Sequence, residues 1–179
     1  MASSANLNSN YYYDVFINHR GPDVKKTFAS YLYRRLISHG LRVFLDQPEL
    51  QQGDKLISQI EGAIKTASVY VAIFSPGYAE SNWCLDELLL MLESGATTIP
   101  VFYNVRPAEL RWTRGKDGLY AQALNKLEKK KAYDPQTNEE KARYDSTTIE
   151  SWRNALSSVA GISCFELESC NGLEFKLSS

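Results

Sequence analysis

Ser68-Val-Tyr-Val-Ala-Ile-Phe74 is almost continuously apolar and β-branched, and it runs straight into Ser75-Pro-Gly-Tyr-Ala-Glu-Ser-Asn-Trp-Cys-Leu-Asp-Glu-Leu-Leu-Leu-Met-Leu92. The first run reads as a strand covered on both faces, the situation of a strand inside a parallel sheet. The second changes period. From Trp83 onward, Leu85, Leu88, Leu89 and Leu92 return at the spacing that lines one side of a helix, and that stripe calls for burial. At about 100° per residue, Trp83, Asp86, Glu87 and Leu90 fall on the opposite side, with Trp83 one turn ahead of Glu87. A large aromatic and a carboxylate are thus expected to share the outer face. Plain explanations exist for both: acidic residues near a helix start gain roughly 0.3–1 kcal/mol from the helix dipole, and Trp83 can cover a loop. The rest of the chain decides between these and a site.

The alternation extends in both directions. Tyr13 to Asn18 is a short β-rich run broken by the turn His19-Arg-Gly-Pro22, after which Asp23 is placed to cap a helix. Val24 to His39 keeps a helical period through Phe28, Leu32, Leu36 and Ile37, and Gly40 supplies a left-handed stop. Leu41 to Leu45 is a second strand, Asp46 to Asp54 a polar loop, and Leu56, Ile57, Ile60 and Ile64 mark another helix. Thr97 to Tyr103 is a further strand, in which Pro100 predicts an edge position or a strand end. Asn104 to Gly118 reads as a long mixed loop, Leu119 to Lys131 as a helix, and Ala132 to Ser146 as a charged connection without fixed structure. A last helix, Thr147 to Val159, is anchored by Trp152 and Leu156, and Ile162 to Phe165 is read as a fifth strand. This predicts an α/β, flavodoxin-like fold: a five-stranded parallel sheet flanked by helices on both faces. Residues 1–11 form a flexible tail, 12–165 the domain, and 166–179 an extension or the start of something cut short. Ligands of such sheets bind beyond the C-terminal strand ends. His19-Arg20-Gly21, the Asp46 to Asp54 loop and the helix carrying Trp83 and Glu87 all emerge there.

Composition narrows the function classes. A chain of 179 residues with 44% apolar and 23% charged residues suits one domain with a sizeable core. Lys plus Arg number 20 against 21 Asp plus Glu, so no global field recruits nucleic acid or an anionic membrane. Cys84, Cys164 and Cys170 have no ligand-like spacing with His19 or His39, so neither a disulfide frame nor a metal site is expected. Met1 to Asn10 lacks the basic start and apolar core of a leader, and no apolar run approaches the ~20 residues of a membrane span. The reading is of a soluble chain with reduced, intracellular thiols and no membrane partner.

Several active sites fail for lack of parts. There is no G-x-G-x-x-G, Gly21 to Thr27 has the wrong spacing for a phosphate loop, and the strand ends lack the acidic residues of a phospho-acceptor. No Ser-His-Asp or Cys-His arrangement stands out, and Cys84 reads as a small buried residue before it reads as a nucleophile.

The boxes Tyr13-Asp-Val-Phe-Ile-Asn-His-Arg-Gly-Pro-Asp23, Gly40-Leu-Arg-Val-Phe-Leu-Asp46, Gly53, Phe74-Ser75, Ser81-Asn-Trp-Cys-Leu-Asp-Glu-Leu88, Ile99-Pro-Val-Phe-Tyr103 and Trp152-Arg-Asn-Ala-Leu156 stand in order. Together they resemble the successive motifs of a plant Toll/interleukin-1 receptor (TIR) domain, over about Tyr12 to Phe165. The resemblance implies the same five-stranded fold. It also implies cleavage of NAD+ between nicotinamide and ribose, giving ADP-ribose or variant cyclic products that promote plant defence and cell death. NAD+ is then the substrate, with ATP as a candidate acceptor, no permanently bound cofactor, and self-association through TIR–TIR contacts. Glu87 matches the family's essential glutamate. Nicotinamide leaves a cationic pyridinium as a neutral molecule, so no general acid is required where ordinary glycosidases use two carboxylates. A carboxylate beside the oxocarbenium-like ribose supplies help on the order of 3 kcal/mol. Trp83 offers a ring for stacking.

By the same resemblance Arg20 and Gly21 line the cleft, and Gln51 and Gly53 belong to a mobile gate. Arg20 suits a diphosphate; a carboxylate partner that holds the loop is the competing reading. Asn18-His19 and Pro22 depart from the usual Ser-Phe and Glu of the first box, and Ser30-Tyr31 stands where a self-association motif often has Ser-His. The chain is read as a TIR-only type or an excised domain, cytoplasmic, with the nucleus as an additional compartment. Two other functions stay open. One is a non-catalytic adaptor working by TIR–TIR contact. The other, less favoured by the charge balance, is a nucleic-acid-dependent cyclic nucleotide synthetase using Cys84 and the Lys126 to Lys131 cluster.

Overall fold

The computed structural model describes residues 12–45, 54–111, 113–114, 117–162, 165–169 and 175–178. Six strands form one sheet: β1 (Tyr13–His19), β2 (Val43–Leu45), β3 (Ala67–Phe74), β4 (Thr97–Tyr103), β7 (Phe165–Ser169) and β8 (Phe175–Ser178). Their order is β2-β1-β3-β4-β7-β8, with the first five mutually parallel and β8 antiparallel to β7. The expected α/β sheet is present. Helices α1 (Gly21–Val24), α2 (Ser30–Ser38), α3 (Asp54–Thr66), α4 (Asn82–Ser94), α5 (Pro107–Arg111), α6 (Leu119–Glu128) and α7 (Ser146–Val159) make the connections.

Alternation along the inner strands explains why both faces are covered. Tyr70, Ala72 and Phe74 pack with Phe16, Phe102 and the apolar faces of α3, α4, α6 and α7, whereas Val71 and Ile73 pack with Val15, Ile17, Val24 and Phe28 on the other side. Side chains of a strand point alternately to opposite faces, so an unbroken apolar run must feed two cores.

Six expectations need correction. The first helix is not continuous: α1 and α2 are separated by a π-helical turn, Lys25–Ala29, that begins after Val24 at φ −132° and ψ −5°. Asp23 is not its cap. The helix opens two residues earlier, with Pro22 in its first turn, and Asp23 bonds to a different loop. Pro100 lies inside β4 and inside the sheet; the ladder with β7 begins only at Val101, so among the described residues Pro100 pairs on the β3 side alone. The charged connection after α6 contains an antiparallel hairpin, β5 (Lys131–Asp134) and β6 (Glu139–Ala142). The fifth parallel strand starts at Phe165, so the sheet continues past the boundary drawn there, and β8 occupies part of the segment read as cut short. The long loop after β4 carries α5. Gly40 has φ +82°, the left-handed stop expected of it.

The 1–11 tail, the 46–53 part of the polar loop with Gln51 and Gly53, and Cys164 and Cys170 lie outside the described residues.

Candidate active site

The site is built where β1 and β3 end. Because Phe16 faces the α3/α4 side of the sheet, Asn18, two residues on, faces the same way at the strand's C-terminal end. Here α4 crosses above it. Ser81 caps that helix, its Oγ accepting the Cys84 N–H at 3.3 Å, and Gly95 ends it at φ +73°.

The sequence pattern misplaced the buried face of α4. Cys84, Leu85, Glu87, Leu88 and Met91 are the buried residues, and Leu89 and Leu92 are half-buried at its margin. Counting only leucines centred the stripe too far round; Cys84 and Met91 rotate it toward Glu87. Glu87 is therefore 5% exposed rather than outward, while Trp83, one turn ahead, is 52% exposed. The aromatic stands at the rim and the carboxylate lies at the floor.

Glu87 is held from below. Asn18, fully buried, donates from Nδ2 to Glu87 Oε2 at 2.7 Å, and its Oδ1 accepts the hydroxyl of Tyr78. The Tyr78 oxygen also lies 3.0 Å from the Cys84 carbonyl. Burial pushes the Tyr78 phenol well above its ordinary pKa, and Cys84 and Glu87 push in the same direction. The next residue toward the N-terminus of α4's floor, Asp86, accepts the Trp152 Nε1–H at 2.9 Å, which ties α7 to α4. Burial raises its pKa against the lowering effect of bonds from Trp152 and Asn82.

Arg20 begins the other half of the rim. Its guanidinium pairs with Asp23 and, at 2.9 Å, with Glu80 Oε2. Asp23 is fixed in turn, accepting from Ser75 Oγ at 2.6 Å and from the Gly77 N–H at 3.0 Å. Of the two readings of Arg20, the carboxylate-held loop is the arrangement seen. Gly77 makes it possible: a Cβ there would stand 2.6 Å from Arg20 Nη1. Gly21 opens α1 beside Arg20 and is half-buried.

Two further residues are buried but point elsewhere. His19 is 5% exposed on the opposite sheet face, and neither ring nitrogen makes a hydrogen bond of good geometry. Burial pushes its pKa down to about 4 against the raising effect of the Ile17 backbone, with a smaller lowering contribution from Lys25, so the ring is neutral at neutral pH. Cys84 is a buried thiol directed at the His19 carbonyl, 3.4 Å away. A hollow of about 470 Å³ beside Tyr12, Tyr13, Phe44, Gly62 and Thr66 lies at the opposite end of β1, away from Glu87. Among the described residues no three His, Cys, Asp or Glu side chains cluster to hold a metal, and no helix is long and apolar enough to cross a membrane.

The structure thus brings Trp83 and Glu87 together on α4 and puts Arg20 and Gly21 at the adjoining loop. Sequence reasoning missed Asn18, Tyr78 and the Asp23–Ser75–Gly77 tie. Only Asn18 carried a signal, as a polar side chain directly after the apolar Val15-Phe-Ile17 run of β1.

Comparison with known proteins agrees with this fold. A family model described as the TIR domain matches residues 12–173. The chain is 50% identical over 98 residues to a probable 2' cyclic ADP-D-ribose synthase, BdTIR, of Brachypodium distachyon, covering 55% of this chain and 44% of that protein. It is 34% identical over 166 residues to TMV resistance protein N of Nicotiana glutinosa, covering 90% of this chain and 13% of that one. The chain therefore spans less than half of either relative. Among solved structures, the TIR domains of the activated Roq1 resistosome, which directly recognises the pathogen effector XopQ, superpose with a TM-score of 0.69 at 35% identity, covering 86% of this chain and 87% of theirs.

Proposed function

Because this chain belongs to the TIR domain family, we propose that it cleaves NAD+ at the nicotinamide–ribose bond and acts in plant immune signalling. The observation that carries this reading is Glu87, a carboxylate buried at the floor of a rim and gripped there by a neutral amide. The Asn18 amide orients that carboxylate from below. The cleaved bond leaves a cation on the ribose and a neutral nicotinamide, so an oriented carboxylate is the group the reaction needs, worth on the order of 3 kcal/mol of transition-state stabilisation. Trp83, one turn away and half-exposed, is the surface on which a ring stacks. Arg20 reaches the diphosphate by exchanging Glu80, the more exposed of its two carboxylates, for phosphate oxygens.

Whether water or a hydroxyl of the same molecule captures the ribose cation decides between ADP-ribose and a cyclic product. The name of the Brachypodium relative favours the cyclic outcome. The resistosome relative favours activity in an assembly of TIR domains. The nucleic-acid alternative finds no support in Cys84, whose thiol is buried. The adaptor alternative is the one the test separates. Purified protein at high concentration with NAD+ releases nicotinamide, and Glu87→Ala, folded by circular dichroism, does not. Absence of release from both, even when tethered into assemblies, contradicts the enzyme and leaves the adaptor.

A further inference from the structure

The partners that hold Glu87 carry a second conclusion. Asn18 is fully buried, and its amide has one sensible orientation. Flipping it would set Oδ1 against the Glu87 carboxylate oxygen, 2.7 Å away, and two acceptors cannot share that distance without cost. The Tyr78 hydroxyl reinforces the choice by donating to Oδ1. Tyr78 is itself fixed: its ring lies 4.7 Å from Phe74 and 6.5 Å from Tyr120, and Tyr120 donates its hydroxyl to the Ser75 carbonyl at 2.9 Å. A line of oriented groups therefore runs from the backbone after β3 through Tyr120, Tyr78 and Asn18 to the carboxylate. An apolar side chain would fill the floor at lower desolvation cost, so a buried amide aimed at a carboxylate needs another reason.

We propose that Asn18 and Tyr78 are positioning residues for NAD+ cleavage: together they fix the Oε2 edge of Glu87, so that the carboxylate keeps one orientation toward the ribose. The inference rests on the reading of Glu87 given above. Among the described residues, the Tyr78 phenol adjoins this pair, with Tyr120 behind it; burial raises both phenols well above their ordinary pKa, so neither ionises near neutral pH.

The test compares steady-state nicotinamide release by wild type, Tyr78→Phe, Asn18→Ala, Asn18→Ser and Glu87→Ala. Tyr78→Phe keeps the ring and its packing but drops the hydroxyl; kcat falls on the order of tenfold with KM for NAD+ unchanged. Asn18→Ala lowers kcat on the order of 100-fold and moves the acid limb of the pH–rate profile to higher pH, because the anion has lost a donor. Asn18→Ser, which retains a short donor, restores part of the loss. A second measurement needs no activity: the side-chain amide resonance of Asn18 in ¹⁵N NMR shifts in Glu87→Gln. Wild-type kcat and pH profile in Asn18→Ala and Tyr78→Phe, with Glu87→Ala inactive, overturn the positioning role and leave the role of Glu87 standing. An Asn18 resonance indifferent to Glu87→Gln overturns it as well. No release from wild type overturns both readings at once. If Asn18→Ala fails to fold, Tyr78→Phe and the resonance decide.

Discussion

The buried floor and the exposed rim of this site hold charge in opposite ways. At the floor, a buried carboxylate is oriented by a neutral amide, which is oriented by a neutral phenol. At the rim, a guanidinium is oriented by carboxylates, one part-buried and bonded to the β3–α4 loop, the other half-exposed. A buried amide bond holds one edge of a carboxylate in place, whereas an ion pair at a partly exposed rim is screened by water and open to exchange. The floor thus suits a fixed catalytic group, and the rim suits a group that changes partner when a phosphate arrives.

His19, next to Asn18 in sequence, sharpens the contrast and carries the largest expected effect on stability. The two side chains face opposite sides of the sheet; Asn18 is firmly hydrogen-bonded, whereas His19 makes no hydrogen bond of good geometry. The folded ring has its pKa pushed from 6.5 to about 4, so the unfolded chain binds the proton first and stability falls as pH drops from 6.5 to about 4. The loss over that window is about 3 kcal/mol. His19→Phe flattens this limb of the stability profile, as urea unfolding at pH 7 and pH 5 will register; an unchanged limb would assign the acid loss to other groups.

Asp23→Ala comes next. It removes the acceptor for Ser75, Gly77 and Arg20 together, and the partly buried donors left behind cost about 1–3 kcal/mol of unfolding free energy. Denaturant titration measures this, and a cost near zero would mean that the rim is not tied through Asp23. Trp83→Ala is a smaller change of a different kind. KM for NAD+ rises about tenfold through lost stacking, while stability stays within about 0.5 kcal/mol because the ring is half-exposed. Loss of stability without a change in KM would make Trp83 a packing residue. Glu80→Gln has the smallest effect: stability moves by less than about 1 kcal/mol, as for an exposed ion pair, and KM falls modestly because Arg20 is released. A higher KM would show that Glu80 helps to bind NAD+ and does not compete with it.

The elements that were legible in the sequence are those whose pattern is local. The unbroken run of β3, the glycine stop at Gly40 and the leucine repeat of α4 each state their element directly. The failures are tertiary. Whether Pro100 sits inside the sheet depends on where β7 joins, more than sixty residues later. Asp23 had the right type and position for a cap, but two donors from the β3–α4 loop took its carboxylate. In the candidate site, Glu87 and Trp83 were singled out by motif and spacing, yet the depth of Glu87 was misread, because which arc of α4 is buried depends on Cys84 and Met91 as much as on leucine. Tyr78 gave no signal, since an aromatic in a loop is ordinary and only the fold brings its hydroxyl to Asn18.

The most direct measurement is nicotinamide release from NAD+ by Glu87→Gln beside wild type, with both shown to be folded. Glutamine keeps the shape and an acceptor for Asn18 while removing the charge. If the oriented negative charge is what serves the ribose cation, the rate falls by about 10²–10³ at unchanged stability. Release at the wild-type rate would contradict the account, because the floor would then matter for its shape and not for its charge.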